Sequence, residues 1–226
     1  MAFSLKDKRA VLFDMDGVLY DSMPLHVRAW SRAMADFGYH MTVDEIYANE
    51  GCTGAYTIRT VSLREGKGDV SDEDVNRIYA RKSEYFHSMP EPPMMPGAYS
   101  LMCKANACGM KILVVTGSGQ QALIERVQRD YNGFVFRDLM VTAFDVKRGK
   151  PFPDPYLKGL ELAGVQASQA FVVENAPLGL RSARAAGIET IAVNTGPLAD
   201  EKLLAEGPAV LFSSMQAFDD GWDSLF

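Results

Sequence analysis

The stretch Ala10-Val11-Leu12-Phe13-Asp14-Met15-Asp16-Gly17 decides the fold. A short apolar run stopped by a charge reads as a strand buried on both faces. Similar runs recur at residues 111–116, 139–143, 170–174 and 189–193, and a shorter one at 209–212. Helical spacing fills the intervals at 98–108, 120–130, 155–163 and 178–186. Alternating strands and helices imply βαβ crossovers and a parallel sheet. Gly109, Gly164 and Gly187 follow the helical patterns closely, as helix-stopping glycines do. Residues 1–21 and 95–226 are therefore expected to form one doubly wound α/β core.

Residues 22–94 read differently. Helical spacing at 24–37 ends at Gly38, Thr42 and Glu45 have capping-box spacing, and further helical segments follow at 53–65 and 72–88. No buried-strand run interrupts them. The segment closes on Pro90-Glu91-Pro92-Pro93-Met94-Met95-Pro96, a stiff linker. An all-helical insert thus leaves the core directly after the first strand. In an open parallel sheet, ligands sit beyond the carboxyl ends of the strands. Asp14, Thr116 and Glu174 stand at those ends, and the insert is placed to act as a lid over them.

Composition narrows the classes. The 226 residues include 47% hydrophobic and 23% charged residues, ordinary for a globular chain. The net charge is -6, and no Lys/Arg run offers the basic stripe that a nucleic-acid partner needs. No apolar stretch reaches the ~18 residues of a membrane span, so no membrane partner is expected. Residues 1–9 lack the apolar region of a signal peptide. Cys52, Cys103 and Cys108 lack metal-ligand spacing and read as free thiols in a reducing cytoplasm, filling space as small buried hydrophobes.

Four motifs carry chemistry. Asp14 and Asp16 pair two carboxylates at a strand end, one able to attack an electrophile and the other to handle protons. Gly17 lets the backbone turn away. Thr116-Gly117-Ser118-Gly119 offers hydroxyls and backbone N–H groups before a helix, an arrangement that suits an anion. Lys150 sits in Gly149-Lys150-Pro151-Phe152-Pro153-Asp154-Pro155, where three prolines stiffen the chain around one ammonium. Glu174 and Asn175 offer oxygens to a hard cation such as Mg²⁺. Each motif in isolation also fits a solvated turn or a plain helix cap.

Together the four motifs resemble the haloacid dehalogenase superfamily of phosphate-transfer enzymes, across essentially the whole chain. Phe13-Asp14-Met15-Asp16-Gly17-Val18-Leu19 followed by a helical insert looks like the β-phosphoglucomutase-like subfamily. The resemblance implies a Rossmann-like core with a helical cap at 22–94. It implies Asp14 as a nucleophile forming an aspartyl-phosphate, and Asp16 as general acid/base with its carbonyl on Mg²⁺. It implies Thr116, Gly117, Ser118 and Lys150 around the phosphoryl group, and Glu174 and Asn175 in the metal motif. The motif usually ends in an acidic pair. Here Asn175 removes one charge, and Glu50 of the insert is expected to replace it when the lid closes. His26, Lys82 and Thr53 are the remaining expected cap contacts.

Three functions follow: a phosphohydrolase, a β-phosphoglucomutase, or a phosphate-binding protein without turnover. The mutase-type insert loop carries an arginine for a second phosphate, whereas this loop reads Gly51-Cys52-Thr53-Gly54. With Asn49, Glu50 and Asn175 it looks instead like members that hydrolyse inorganic pyrophosphate. The expectation is a monomeric, Mg²⁺-dependent hydrolase of a small phosphorylated substrate.

Overall fold

The structure is a computed structural model that describes residues 3–119 and 121–226. Six parallel strands, β1 (Ala10–Phe13), β2 (Lys111–Val115), β3 (Met140–Val141), β4 (Ala170–Glu174), β5 (Glu189–Val193) and β6 (Val210–Phe212), lie in the order β3-β2-β1-β4-β5-β6. β1 is central, flanked in register by β2 (Phe13 opposite Val114) and β4 (Phe13 opposite Val173). Both faces are covered, which is why the strands read as unbroken apolar runs. Val11, Phe13, Ile112, Val114, Phe171 and Val173 face one core, and Ala10, Leu12, Leu113, Val115, Ala170 and Val172 the other. Alternate residues point to opposite faces, so each strand feeds both cores.

The first core is closed by α5 (Ala98–Ala107), α6 (Gln121–Asp130) and α10 (Met215–Gly221), the second by α7 (Asp154–Ala163) and α8 (Pro177–Ala185). A short α9 (Asp200–Leu204) follows β5. The C-terminal segment completes the first layer through Phe218 and Trp222, both buried. The predicted start of α6 at Gln120 lies outside the described residues.

Two expectations are corrected. The strand expected at 139–143 is only Met140–Val141, preceded by a 3-10 turn at Arg137–Leu139. Asp145 captures Thr142 locally, accepting from its backbone N at 2.8 Å and its hydroxyl at 2.6 Å, so the chain turns instead of extending the ladder. Cys103 and Cys108 are exposed, not buried. Helix α5 buries Ala98, Leu101, Met102 and Ala105, a helical stripe that leaves the thiols on the opposite side. All three cysteines are free.

Between β1 and α5 four helices, α1 (Met23–Asp36), α2 (Val43–Ala48), α3 (Gly54–Arg64) and α4 (Asp72–His87), pack around their own core of Trp30, Met34, Ile58, Val61, Val75 and Ile78. Helix α2 opens with the expected capping box between Thr42 and Glu45. The segments entering and leaving this bundle run side by side: Asp21 N donates to Pro93 O at 3.0 Å and Met95 N to Leu19 O at 2.8 Å. Tyr131 of the core clamps the same place, its hydroxyl donating to Leu19 O at 2.6 Å. The bundle therefore hangs over the carboxyl edge of the sheet on a paired, anchored hinge. Among the described residues no helix is long and apolar enough to cross a membrane.

Candidate active site

Asp14 follows the last residue of β1 and is 1% exposed. Lys150 reaches it from the loop before α7 and is buried to the same degree. Its ammonium donates to Asp14 Oδ1, to Glu174 Oε1 at 2.6 Å and to Val115 O at 3.1 Å. Three acceptors for three protons leave no freedom in the ammonium. Glu174, the last residue of β4, also accepts from Tyr156 Oη at 2.8 Å and from the backbone N of Asn175 and Ala176 at 3.0 and 3.3 Å. Four donors thus meet its two oxygens, and the carboxylate faces Lys150.

Asp16 has a different set of partners. Ser22 Oγ donates to Asp16 Oδ1 at 2.6 Å, and His26 Nε2 lies 3.0 Å from the same oxygen. Lys82 Nζ lies 2.8 Å from His26 Nδ1. An ammonium only donates, so His26 accepts at Nδ1 and carries its proton on Nε2, facing Asp16. Phe86 stacks on the imidazole with ring centroids 4.4 Å apart.

The two carboxyls titrate apart. Burial pushes Asp14 up to about 8, with Lys150 pulling back only in part. Burial would raise Asp16 too, but the His26, Ser22 and Lys82 contacts outweigh it and hold the group down at about 2. Buried Asp14 thus needs more positive charge than Lys150 supplies if it is to stay ionised.

The bundle completes the site. Glu50, at the end of α2, is 6% exposed, and its Oε1 accepts from Asn175 Nδ2 at 2.9 Å. Burial, and then the charge of Asp14, push Glu50 well above the ordinary carboxylate range. Room for this pair exists only because residue 17 is glycine: φ is +78°, and a Cβ there would stand 2.0 Å from Asn175 Nδ2. Closure is equally tight at Gly117, where a Cβ would meet Gly51 O at 2.3 Å.

Asp14 Oδ2 and Asn175 Oδ1 are buried side-chain oxygens without a hydrogen-bond partner. Such orphans are costly unless a ligand satisfies them. With Asp14, Asp16, Glu50 and Glu174 around Lys150 and Lys82, carboxylates outnumber cations, and the oxygens fit a hard divalent ion. No group of three or more His, Cys, Asp and Glu side chains arranged to hold a metal occurs among the described residues. The fit rests instead on one amide oxygen, Asn175 Oδ1, and one carboxylate oxygen, Asp14 Oδ2.

Thr116, Gly117 and Ser118 follow β2 at the same edge, with Ser118 N donating to Thr116 Oγ1 at 3.0 Å. Thr53 differs from expectation. Its hydroxyl caps α3 by accepting from Tyr56 N at 3.3 Å, and its methyl packs on Gly149, where a Cβ would come within 2.7 Å. It supports the lysine loop and is absent from the lining of the cavity.

That cavity, about 60 Å³, runs from Asp16 into the bundle between Trp30, Asn49, Thr57, Tyr79 and Lys82. Sequence reading missed Ser22, Trp30, Tyr79 and Tyr156. Ser22 had a signal, its place just before a helix and close behind Asp16. The others read as helix-face aromatics.

Residues 11–193 match the profile of haloacid dehalogenase-like hydrolases. Hexitol phosphatase A of Escherichia coli (strain K12) is 35% identical over 209 residues, 92% of each chain. Phosphorylated carbohydrates phosphatase of Thermotoga maritima is 30% identical over 205 residues, 89% of this chain and 92% of that one. A solved structure from Bacteroides vulgatus, provisionally named a β-phosphoglucomutase, is 48% identical. It superposes with a TM-score of 0.93 over 97% of this chain and 89% of that one.

Proposed function

The chain belongs to the haloacid dehalogenase-like hydrolase family, and from that premise we propose a Mg²⁺-dependent phosphohydrolase working through an aspartyl-phosphate at Asp14. One observation carries the reading. Asp14 has one oxygen held by Lys150 and the other buried and unpartnered at the catalytic edge. In the first step an Asp14 oxygen bonds phosphorus as the bond from phosphorus to the leaving oxygen breaks. In the second, a water oxygen attacks phosphorus, Asp16 takes its proton and the Asp14–phosphorus bond breaks, releasing orthophosphate. Positioned proton transfer of this kind is worth roughly 10²–10⁴-fold. Thr116, Gly117 and Ser118 hold the phosphoryl oxygens by hydroxyl and N–H groups, and Lys150 offsets their charge.

Asp14, Asn175 and the Asp16 carbonyl would hold Mg²⁺, with Glu50 joining from the cap, and the bound ion would offset the negative charge between carboxylate and phosphate. Glu174, which accepts from Lys150 and Tyr156, would stand beside this set. Glu50→Ala is expected to weaken Mg²⁺ binding about tenfold or more, read by titration with a phosphate analogue bound. Unchanged affinity removes Glu50 from the set.

Inorganic pyrophosphate is the first substrate. A leaving phosphate can be neutralised by cations, whereas a sugar alkoxide needs a proton, which an ionised Asp16 does not carry. The cavity of about 60 Å³ beneath the cap is far below the roughly 300–1,000 Å³ of sites built for larger ligands. Among the described residues that line it, Lys82 is the lysine and there is no arginine. A phosphorylated carbohydrate is the second reading. Trp30 and Tyr79 offer faces on which a sugar can stack, and two of the relatives above are named for such substrates. One assay separates them: Mg²⁺ with pyrophosphate, with hexitol phosphates, and with β-glucose 1-phosphate plus a bisphosphate primer. Orthophosphate from the first supports the proposal, orthophosphate from the second the carbohydrate phosphatase, and glucose 6-phosphate from the third a mutase. Silence throughout marks a binding protein. The three free thiols fit a reducing cytoplasm, and a cap that opens over one chain's own site fits a monomer.

A further inference from the structure

Tyr156 is a buried polar group to which the reaction just described gives no part. It sits on the first turn of α7 with 0% exposure, inside the apolar core that contains Leu12, Val115, Leu160 and Val172. A phenol buried in such surroundings needs a partner for its hydroxyl. Tyr156 Oη has Glu174 Oε1, to which it donates at 2.8 Å. The same oxygen accepts from Lys150 at 2.6 Å, and the other carboxylate oxygen is pinned by two backbone N–H groups.

The chain of contacts runs from phenol to carboxylate to ammonium to nucleophile. Lys150 divides its protons among Asp14, Glu174 and Val115 O, so its balance between the two carboxylates depends on how much acceptor capacity Glu174 offers. The tyrosine hydroxyl consumes part of that capacity. Its ring also stands beneath the ammonium, 5.1 Å from centroid to Nζ. Tyr156, Glu174 and Lys150 are all at most 1% exposed, so these contacts are shielded from bulk solvent.

We infer that Tyr156 is a positioning residue for phosphoryl transfer, holding Lys150 against Asp14 by sharing Glu174 Oε1 with it. Without the hydroxyl, Oε1 keeps a single strong donor, and the ammonium is drawn toward Glu174 and away from the nucleophile. The misplacement acts where charge develops in the reaction, so it lowers turnover and leaves substrate binding nearly intact. This inference rests on the aspartyl-phosphate reading above.

Tyr156→Phe keeps the ring and removes only the hydroxyl, and the test compares it with wild type on whichever phosphate substrate the Mg²⁺-loaded wild type turns over. Losing a hydrogen bond to a charged group predicts a kcat about tenfold lower with KM within about twofold. The same substitution in a Glu174→Gln background, with rates taken from single-turnover quench, is expected to change the rate by less than about twofold. A packing role would cost the same in both backgrounds. A crystal structure of Tyr156→Phe gives an answer independent of turnover, with Lys150 Nζ expected to leave Asp14. Wild-type kcat in Tyr156→Phe, an equal loss in both backgrounds, or an unmoved ammonium would overturn the inference. Wild type that turns over no phosphate substrate would instead remove the reading beneath it.

Discussion

Asp14 and Asp16 are two residues apart and live in opposite surroundings. Asp14 ends a strand buried on both faces, whereas Asp16 lies beyond it, where Ser22, His26 and Lys82 converge. Lys82 carries a measurable cost of that convergence. It is 3% exposed, and burial lowers its ammonium from 10.5 to about 8, with the Asp16 charge offsetting part of the effect. Between those pH values the unfolded chain binds a proton that the folded chain has released, so stability rises with pH across this window. Urea unfolding from pH 7 to 10.5 should show wild type gaining stability relative to Lys82→Met above pH 8. Parallel curves would contradict the buried charge. At this scale the strand-end motifs were legible in the sequence, since a charge stopping an apolar run is a local signal. Tyr156 was not legible, because an aromatic on a helix face looks the same whether its hydroxyl meets water or Glu174.

At the scale of elements, the site is made where the loop after α2 meets the loop after β2. Gly51 O and the Gly117 backbone come so close that any side chain at 117 must hold them apart. Gly117→Ala should therefore keep the cap from seating. Cys52 reports on this directly: burial pushes its thiol up to about 12 while the cap is closed, and opening should return it toward the ordinary range. Alkylation of Cys52 should speed up in Gly117→Ala, with the exposed Cys103 and Cys108 as references in the same digest. Equal Cys52 rates in variant and wild type would show that closure does not depend on this contact. The helical insert and its place over the sheet edge were legible from the change in periodicity after Asp14. The depth of closure was not. It depends on Glu50 reaching Asn175, and on glycines at 17 and 117 whose neighbours are distant in sequence.

For the whole molecule, the three-layer core fixes Asp14, Thr116 and Glu174 at its strand ends, and the bundle packs over them. Glu50 accepts from Asn175 across the closed cap, and His26 and Lys82 line up behind Asp16. The hinge pairing at Leu19–Asp21 and Pro93–Met95 ties the two parts together without crossing the site. Everything in this account turns on whether phosphorus is carried by Asp14. Borohydride quenching during steady turnover with Mg²⁺ and pyrophosphate, or the best phosphate substrate, followed by peptide mapping, measures this most directly. The account predicts conversion of Asp14 to homoserine in wild type, and neither turnover nor conversion in Asp14→Asn. Undiminished turnover with an unmodified Asp14, or trapping at another carboxylate, would contradict it.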